Sequence, residues 1–163
     1  MNLKKIAYTK YSDVDELVIN KASEMGMPLI GGTALEVLGN YYHRSGFRKR
    51  SFNDLDFLGT NAESVEQFQD WVKQNTDPDK VKVDIYLESD EKLQFSLDME
   101  GILVMKPEYL IWSKLSRPDR SQKDIEDIKW LLSIEEMSDE ELSDALDTLG
   151  VTDEEFHLLQ SLV

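Results

Sequence analysis

Pro28-Leu29-Ile30-Gly31-Gly32-Thr33-Ala34-Leu35, followed across a polar stretch by Asp54-Leu55-Asp56-Phe57-Leu58-Gly59, decides how this chain folds. The first segment reads as a short buried strand, a glycine turn and a helix that Thr33 caps, with Ala34, Leu35, Val37 and Leu38 as its apolar positions. In the second, charged and apolar residues alternate and then stop at a glycine, which is the pattern of a half-buried strand. Between them, Asn40 to Asn53 is polar and basic without a period and reads as a loop. The order is therefore strand, glycine turn, helix, loop, acidic strand.

Working outward, Ser12 and Asp15 form a capping box before Val14, Leu17, Val18 and Ala22, and Gly26 ends that amphipathic helix. Asn61 caps a helix carrying Val65, Phe68, Trp71 and Val72, and the segment around Pro78 breaks it. Val81 to Leu87 alternates as a strand, with Val81, Val83, Ile85 and Leu87 toward the core and Lys82, Asp84 and Tyr86 on the opposite face. Leu93 to Leu97 and Ile102 to Met105 predict a hairpin around Glu100-Gly101. Beyond it the chain reads as helical, from Pro107 to Leu115, from Ser121 onward, and in two further helices headed by Ser138 with Glu141 and Thr152 with Glu155. The expected fold class is α+β, a small mixed β-sheet with flanking helices followed by a helical C-terminal part. The expected organisation is a domain over 1–132 and an acidic helical extension, packed on it, over 133–163.

Composition restricts the function classes. The 163 residues contain no cysteine, which excludes disulfides, thiolate metal sites and cysteine nucleophiles. No apolar run has the length of a membrane span, and the first residues lack the apolar core of a signal peptide, so a cytoplasmic chain without membrane partners is expected. The net charge of −15 argues against wrapping a long nucleic acid. That charge is uneven: residues 1–50 carry +3 and residues 51–163 carry −18, and Arg44, Arg48, Lys49 and Arg50 gather just before the acidic strand.

Asp54 and Asp56, two apart on a strand, project from one face about 7 Å apart. Like charges held so close either split their pKa values or share a hard divalent cation. If the Asp84 strand lies beside them, three carboxylates converge on one patch, which suits two Mg²⁺ ions, or Mn²⁺, and phosphoryl or nucleotidyl transfer. Gly31, Gly32 and Thr33, at a strand end that opens a helix, form a place where phosphate can approach backbone N–H groups. The plain alternative for each of these signals is a structural turn and unrelated surface acids.

Taken together, Gly32-Thr33, the pair Asp54 and Asp56, and the later Asp84 resemble the nucleotidyltransferase superfamily of the DNA polymerase β type. More narrowly, Leu29 to Leu35, Arg50 and Asp54-Leu55-Asp56-Phe57 look like the AbiEii-type nucleotidyltransferases of abortive-infection and toxin–antitoxin systems, as do Lys114, Arg120, Lys123-Asp124 and Asp127. Phe52 departs from that pattern, which often has Ser or Thr two residues before the first Asp. The resemblance implies a nucleotidyltransferase-like fold and transfer of a nucleoside monophosphate from an NTP to a hydroxyl of RNA, tRNA-like or otherwise, or of protein. It implies Asp54, Asp56 and Asp84 as catalytic and metal-binding residues. Gly31, Gly32, Thr33, Arg50, Lys114 and Lys123 become the nucleotide-binding ones. Arg120, Lys123, Asp124 and Asp127 are spaced to share one helical face, as phosphate contacts or as salt bridges. The alternative is an inactive scaffold that binds protein, as an antitoxin or regulatory module, through the acidic C-terminal helices with Phe156, Leu158, Leu159, Leu162 and Val163.

Overall fold

Among the described residues every α-helix but the one that begins at Gly31 starts where a side chain or a proline closes its first turn, and the strands carry apolar residues on the face they bury. The computed structural model describes residues 12–42 and 54–163. Their contacts divide them into two units, residues 12–42 with 54–105, and residues 106–163.

The first unit opens with α1 (Asp13–Glu24), whose capping box pairs the Ser12 hydroxyl with the Asp15 N–H at 3.1 Å and the Asp15 carboxylate with the Ser12 N–H at 3.4 Å. Its buried stripe is Val18, Ile19 and Ala22, while Leu17 is exposed. The two-residue β1 (Leu29–Ile30) runs directly into α2 (Gly31–Tyr41). After the undescribed segment come β2 (Asp54–Gly59), α3 (Ala62–Asn75), headed by an Asn61 cap on Ser64 N–H at 3.0 Å, and β3 (Lys82–Leu87). A 3₁₀ turn, Asp90–Phe95, leads into the hairpin of β4 (Ser96–Met99) and β5 (Ile102–Met105).

These strands form one mixed sheet in the order β3-β2-β1-β5-β4. β2 pairs parallel with β3 and antiparallel with β1, and β1 pairs parallel with β5. The parallel β2–β3 step is bridged by α3, the crossover such a pair requires. Leu29, Leu55, Phe57, Ile102 and Val104 are fully buried. Phe57 meets Phe68 of α3 edge-on with ring centroids 5.6 Å apart. Burying such a side chain contributes roughly 1.5–3 kcal/mol. At the end of β2, Gly59 is required by close approach, because a Cβ there would press on the side chains of Val65 and Ile85.

The regular elements among the described residues of the second unit are helices: α4 (Pro107–Leu115), α5 (Gln122–Leu132), α6 (Asp139–Leu149) and α7 (Asp153–Ser161). Pro107 occupies the first turn of α4, where its missing N–H costs nothing. Ser121 with Asp124 and Thr152 with Glu155 form full capping boxes on α5 and α7. On α6 the Ser138 hydroxyl accepts from Glu141 N–H at 3.1 Å, and Gly150 ends that helix in the left-handed region at φ 82°.

The α+β class with a helical C-terminal part is what the structure shows, with three local corrections. α2 begins at Gly31, two residues before the expected Thr33 cap, and Thr33 is buried within it because the antiparallel pairing of β1 with β2 carries the strand directly into the helix. Leu93 and its neighbours form the 3₁₀ turn instead of a strand, since the hairpin pairing reaches only back to Ser96. Leu87 is exposed, standing at the last position of β3, which is an edge strand with a neighbour on one side alone.

Candidate active site

The sheet register assembles the site residues of the first unit. Directly opposed residues of neighbouring strands project to the same side of a sheet. Asp56 pairs with Ile30 across the antiparallel step and with Asp84 across the parallel one. Asp54 pairs with Lys82. Asp54, Asp56, Lys82 and Asp84 therefore share one face, and Leu55 and Phe57 go to the opposite one, fully buried.

The same pairing puts Gly31, the residue after Ile30, against Asp56. Gly31 has φ 70°, and a Cβ added to it would collide with the Asp56 carboxylate. Glycine is needed here twice, for a left-handed backbone and for the approach of a carboxylate to a helix N-terminus. The capping residue of α2, Ile30, supplies no side-chain acceptor to the first turn. Anionic groups are favoured at such a terminus by the backbone N–H groups and the helix dipole.

Lys82 is the residue of this face that no motif singles out. Its Nζ lies 3.9 Å from Asp54 Oδ2 and 3.9 Å from Asp84 Oδ2, with the lysine side chain 65% exposed. At that distance and exposure each pair is a loose, solvent-screened contact. Its signal in the sequence is faint: two residues before Asp84, on the same side of the strand. Pairing with Asp54 depends on strand register, which no local pattern states.

A hard divalent cation takes carboxylate oxygens, and Asp54, Asp56 and Asp84 are that donor type on one exposed-to-half-buried face. The residue types and their shared face fit such an ion. Their present spacing does not enclose one: among the described residues no group of three acidic or histidine side chains stands in a metal-holding arrangement. The Lys82 ammonium lies instead within reach of two of the carboxylates.

The other candidates are placed differently. Arg50, with the basic cluster around it, lies outside the described residues. Lys114 and Lys123 belong to the second unit. Lys114 is buried, with its Nζ 3.0 Å from Asp127 Oδ2 and 3.6 Å from Asp124 Oδ1. Asp124 also accepts from Arg117 Nη1 at 2.9 Å and from Ser121 N–H at 3.0 Å. Burial works to raise the Asp124 pKa, but the Ser121 backbone N–H, Lys114 and Arg117 outweigh it and hold the carboxyl below its ordinary range. Lys123 is exposed on α5 while Asp124 and Asp127 are buried, and Arg120, before the helix, donates to the Leu115 carbonyl. The expected shared face of these four is thus divided between core and solvent. Arg117 belongs to no sequence motif, and its partner Asp124 is set by how the chain turns between α4 and α5.

No family model matches the chain, and no curated protein matches it. Solved structures do. The crystal structure of the Megavirus polyadenylate synthase superposes with a TM-score of 0.59 at 16% identity, over 77% of this chain and 31% of that one. JHP933 from Helicobacter pylori superposes with a TM-score of 0.50 at 19% identity, over 83% of this chain and 71% of that one. This chain thus spans about a third of the length of the polyadenylate synthase. At these identities the likeness establishes a shared fold alone. Among the described residues no helix is long and apolar enough to cross a membrane.

Proposed function

We propose that this protein is a nucleotidyltransferase that moves a nucleoside monophosphate from an NTP to an acceptor hydroxyl. One observation carries the reading: the β1–β2–β3 register sets the glycine start of α2 against Asp56, and Asp56 beside Asp84. A phosphate chain takes its place at Gly31, Gly32 and Thr33, where glycine leaves the backbone open to anions. Asp54, Asp56 and Asp84 are the residues to hold Mg²⁺, or Mn²⁺ in its place, which when bound offsets triphosphate charge and polarises phosphorus. Asp84 takes the proton of the acceptor hydroxyl as its oxygen bonds to the α-phosphorus; the bond from that phosphorus to the bridging oxygen breaks, and pyrophosphate leaves. Lys82 must swing away from Asp54 and Asp84 for this, a cheap movement for an exposed lysine. Arg50, Lys114 and Lys123 are proposed phosphate contacts on resemblance alone, and the partners of Lys114 speak for a structural use of its charge. The AbiEii-like, toxin–antitoxin or phage-defence setting, an RNA acceptor as against a protein one, and a cytoplasmic location belong to the same proposal.

Lys82 also favours a second reading. An ammonium between the carboxylates suits a scaffold that has given up the cation and serves as a binding or antitoxin module. Incubation with Mg²⁺ and each α-labelled NTP, in the presence of total RNA and cell protein, separates the two. Label transferred to a product and lost in Asp54→Ala and Asp56→Ala is the expected result. An absence of NTP binding with Mg²⁺ in calorimetry would sink the enzyme reading and leave the scaffold.

A further inference from the structure

We infer that the groove between α6 and α7 is a docking site for a basic amphipathic helix of a partner protein. The groove has a volume of about 550 Å³ and lies wholly within the second unit. Its walls are two helical faces of matching period. From α6 come Asp139, Leu142, Ser143 and Leu146; from α7 and its C-terminal end come Phe156, Leu159, Gln160 and Val163. Both sets follow the spacing i, i+3, i+4, i+7, which lines up one stripe on each helix. Leu132 and Met137 close the groove from the α5 side.

Phe156 remains 38% exposed and Val163 almost fully so, in a lining that is apolar at Leu142, Leu146 and Leu159 and polar at Asp139, Ser143 and Gln160. Two stripes with leucines and Phe156 among polar side chains, meeting in a trough, accommodate a third helix presenting apolar anchors at the same spacing. Charge selects which helix. Residues 135–163 contain ten Asp and Glu and no Lys or Arg. Asp139 stands in the groove wall, and Glu140, Glu141 and Asp144 of α6 and Asp153 and Glu154 of α7 are exposed on the two helices that form it. A second copy of this chain, itself at −15, or an acidic peptide meets like charge here. A helix with leucines on one face and lysines or arginines on its flanks meets opposite charge at the rim and apolar walls at the centre. The nucleotidyltransferase proposal is not needed for this inference.

The test uses the full chain and a fluorescent synthetic peptide of about 18 residues, long enough for a marginal helix. The peptide is built from Leu, Lys and Ala, with Leu at i, i+3, i+4 and i+7. Saturable binding is expected, weakened about tenfold by Phe156→Ser, the loss of one buried aromatic anchor. Ser143→Trp, which fills the trough from an exposed position, should weaken it similarly, and circular dichroism establishes that each variant is folded. Peptides with Glu for Lys, or Ser for Leu, should not bind. Equal binding to wild type and both folded variants, or equal binding of the Ser-for-Leu peptide, reduces the contact to acidic attraction and overturns the inference. So does an absence of binding at low salt. A concentration-dependent dimer lost in Ser143→Trp gives the groove to a second copy and overturns it as well.

Discussion

At the scale of single residues, Gly31 and Asp56 constrain each other closely where β1 runs into α2. Gly31→Ala places an L side chain at φ 70° and against a carboxylate. The left-handed backbone alone costs about 1–2 kcal/mol. Urea unfolding should show at least that loss, and pairing the change with Asp56→Ala in a double-mutant cycle should return the part due to collision. Lys82 yields a second expectation, resting on the proposed cation site. Removing its charge in Lys82→Gln should tighten Mn²⁺ binding by at least about threefold, since a unit charge at this range is worth about 1 kcal/mol or more. Calorimetry reads the change, and an unaltered affinity would separate Lys82 from the carboxylates' chemistry. Strict alternation in Asp54-Leu55-Asp56-Phe57 was enough to predict a shared carboxylate face, because strand periodicity is local. Lys82 as neighbour of Asp54 was hidden, because cross-strand register is set by α3 and by the burial of Phe57, far from either residue.

At the scale of elements, α4 and α5 are joined by charge buried between them. Lys114, 8% exposed at its side chain, faces Asp124 and Asp127, and Arg117 completes the set. Lys114→Met removes the buried cation that faces both carboxylates, while Arg117 and the Ser121 N–H still reach Asp124, and should cost about 3 kcal/mol in urea unfolding. A lysine held for phosphate instead would be replaced with little loss of stability. Acid acts in the same direction as that substitution. The Asp124 pKa lies below its unfolded value of about 3.9, so its contribution is present above that pH and is lost as pH falls through the lower, folded value. Thermal melts of Asp124→Asn should accordingly be flatter against pH in that acid window. Glu108, in the first turn of α4, has the opposite sign. Burial raises its pKa, with Lys106 and its own backbone N–H opposing and Glu141 adding. Its contribution is fully present below the ordinary carboxylate value and is lost as pH rises through the raised one. Glu108→Gln should therefore be the more stable protein at neutral pH and should lose that advantage below about pH 4. Capping residues made α1, α3, α5, α6 and α7 legible in advance, because a cap is a contact within four residues. The start of α2 was not, since its cap position is Ile30 and its first turn is fixed by a strand pairing.

At the scale of the whole molecule, the charge of −15 is a net self-repulsion that salt screens. The melting temperature should rise with added sodium chloride, and a fall would mean that the ion pairs of the second unit outweigh the repulsion. The fold class was readable from the order of periodic segments, and solved structures share it despite identities of 16% and 19%. The mixed sheet order was not readable, because β1 spans only two residues and presents no periodicity of its own. Yet that short strand joins β2–β3 to the β4–β5 hairpin, with Leu29 opposite both Phe57 and Val104. The hairpin closes locally and can form early. Leu29 must wait until residues distant in sequence have been brought together, so its contacts belong on the late side of the folding barrier. Leu29→Ala should speed unfolding far more than it slows refolding in stopped-flow experiments. The shortest strand would then set how long the native sheet survives, while the hairpin sets how quickly it is begun.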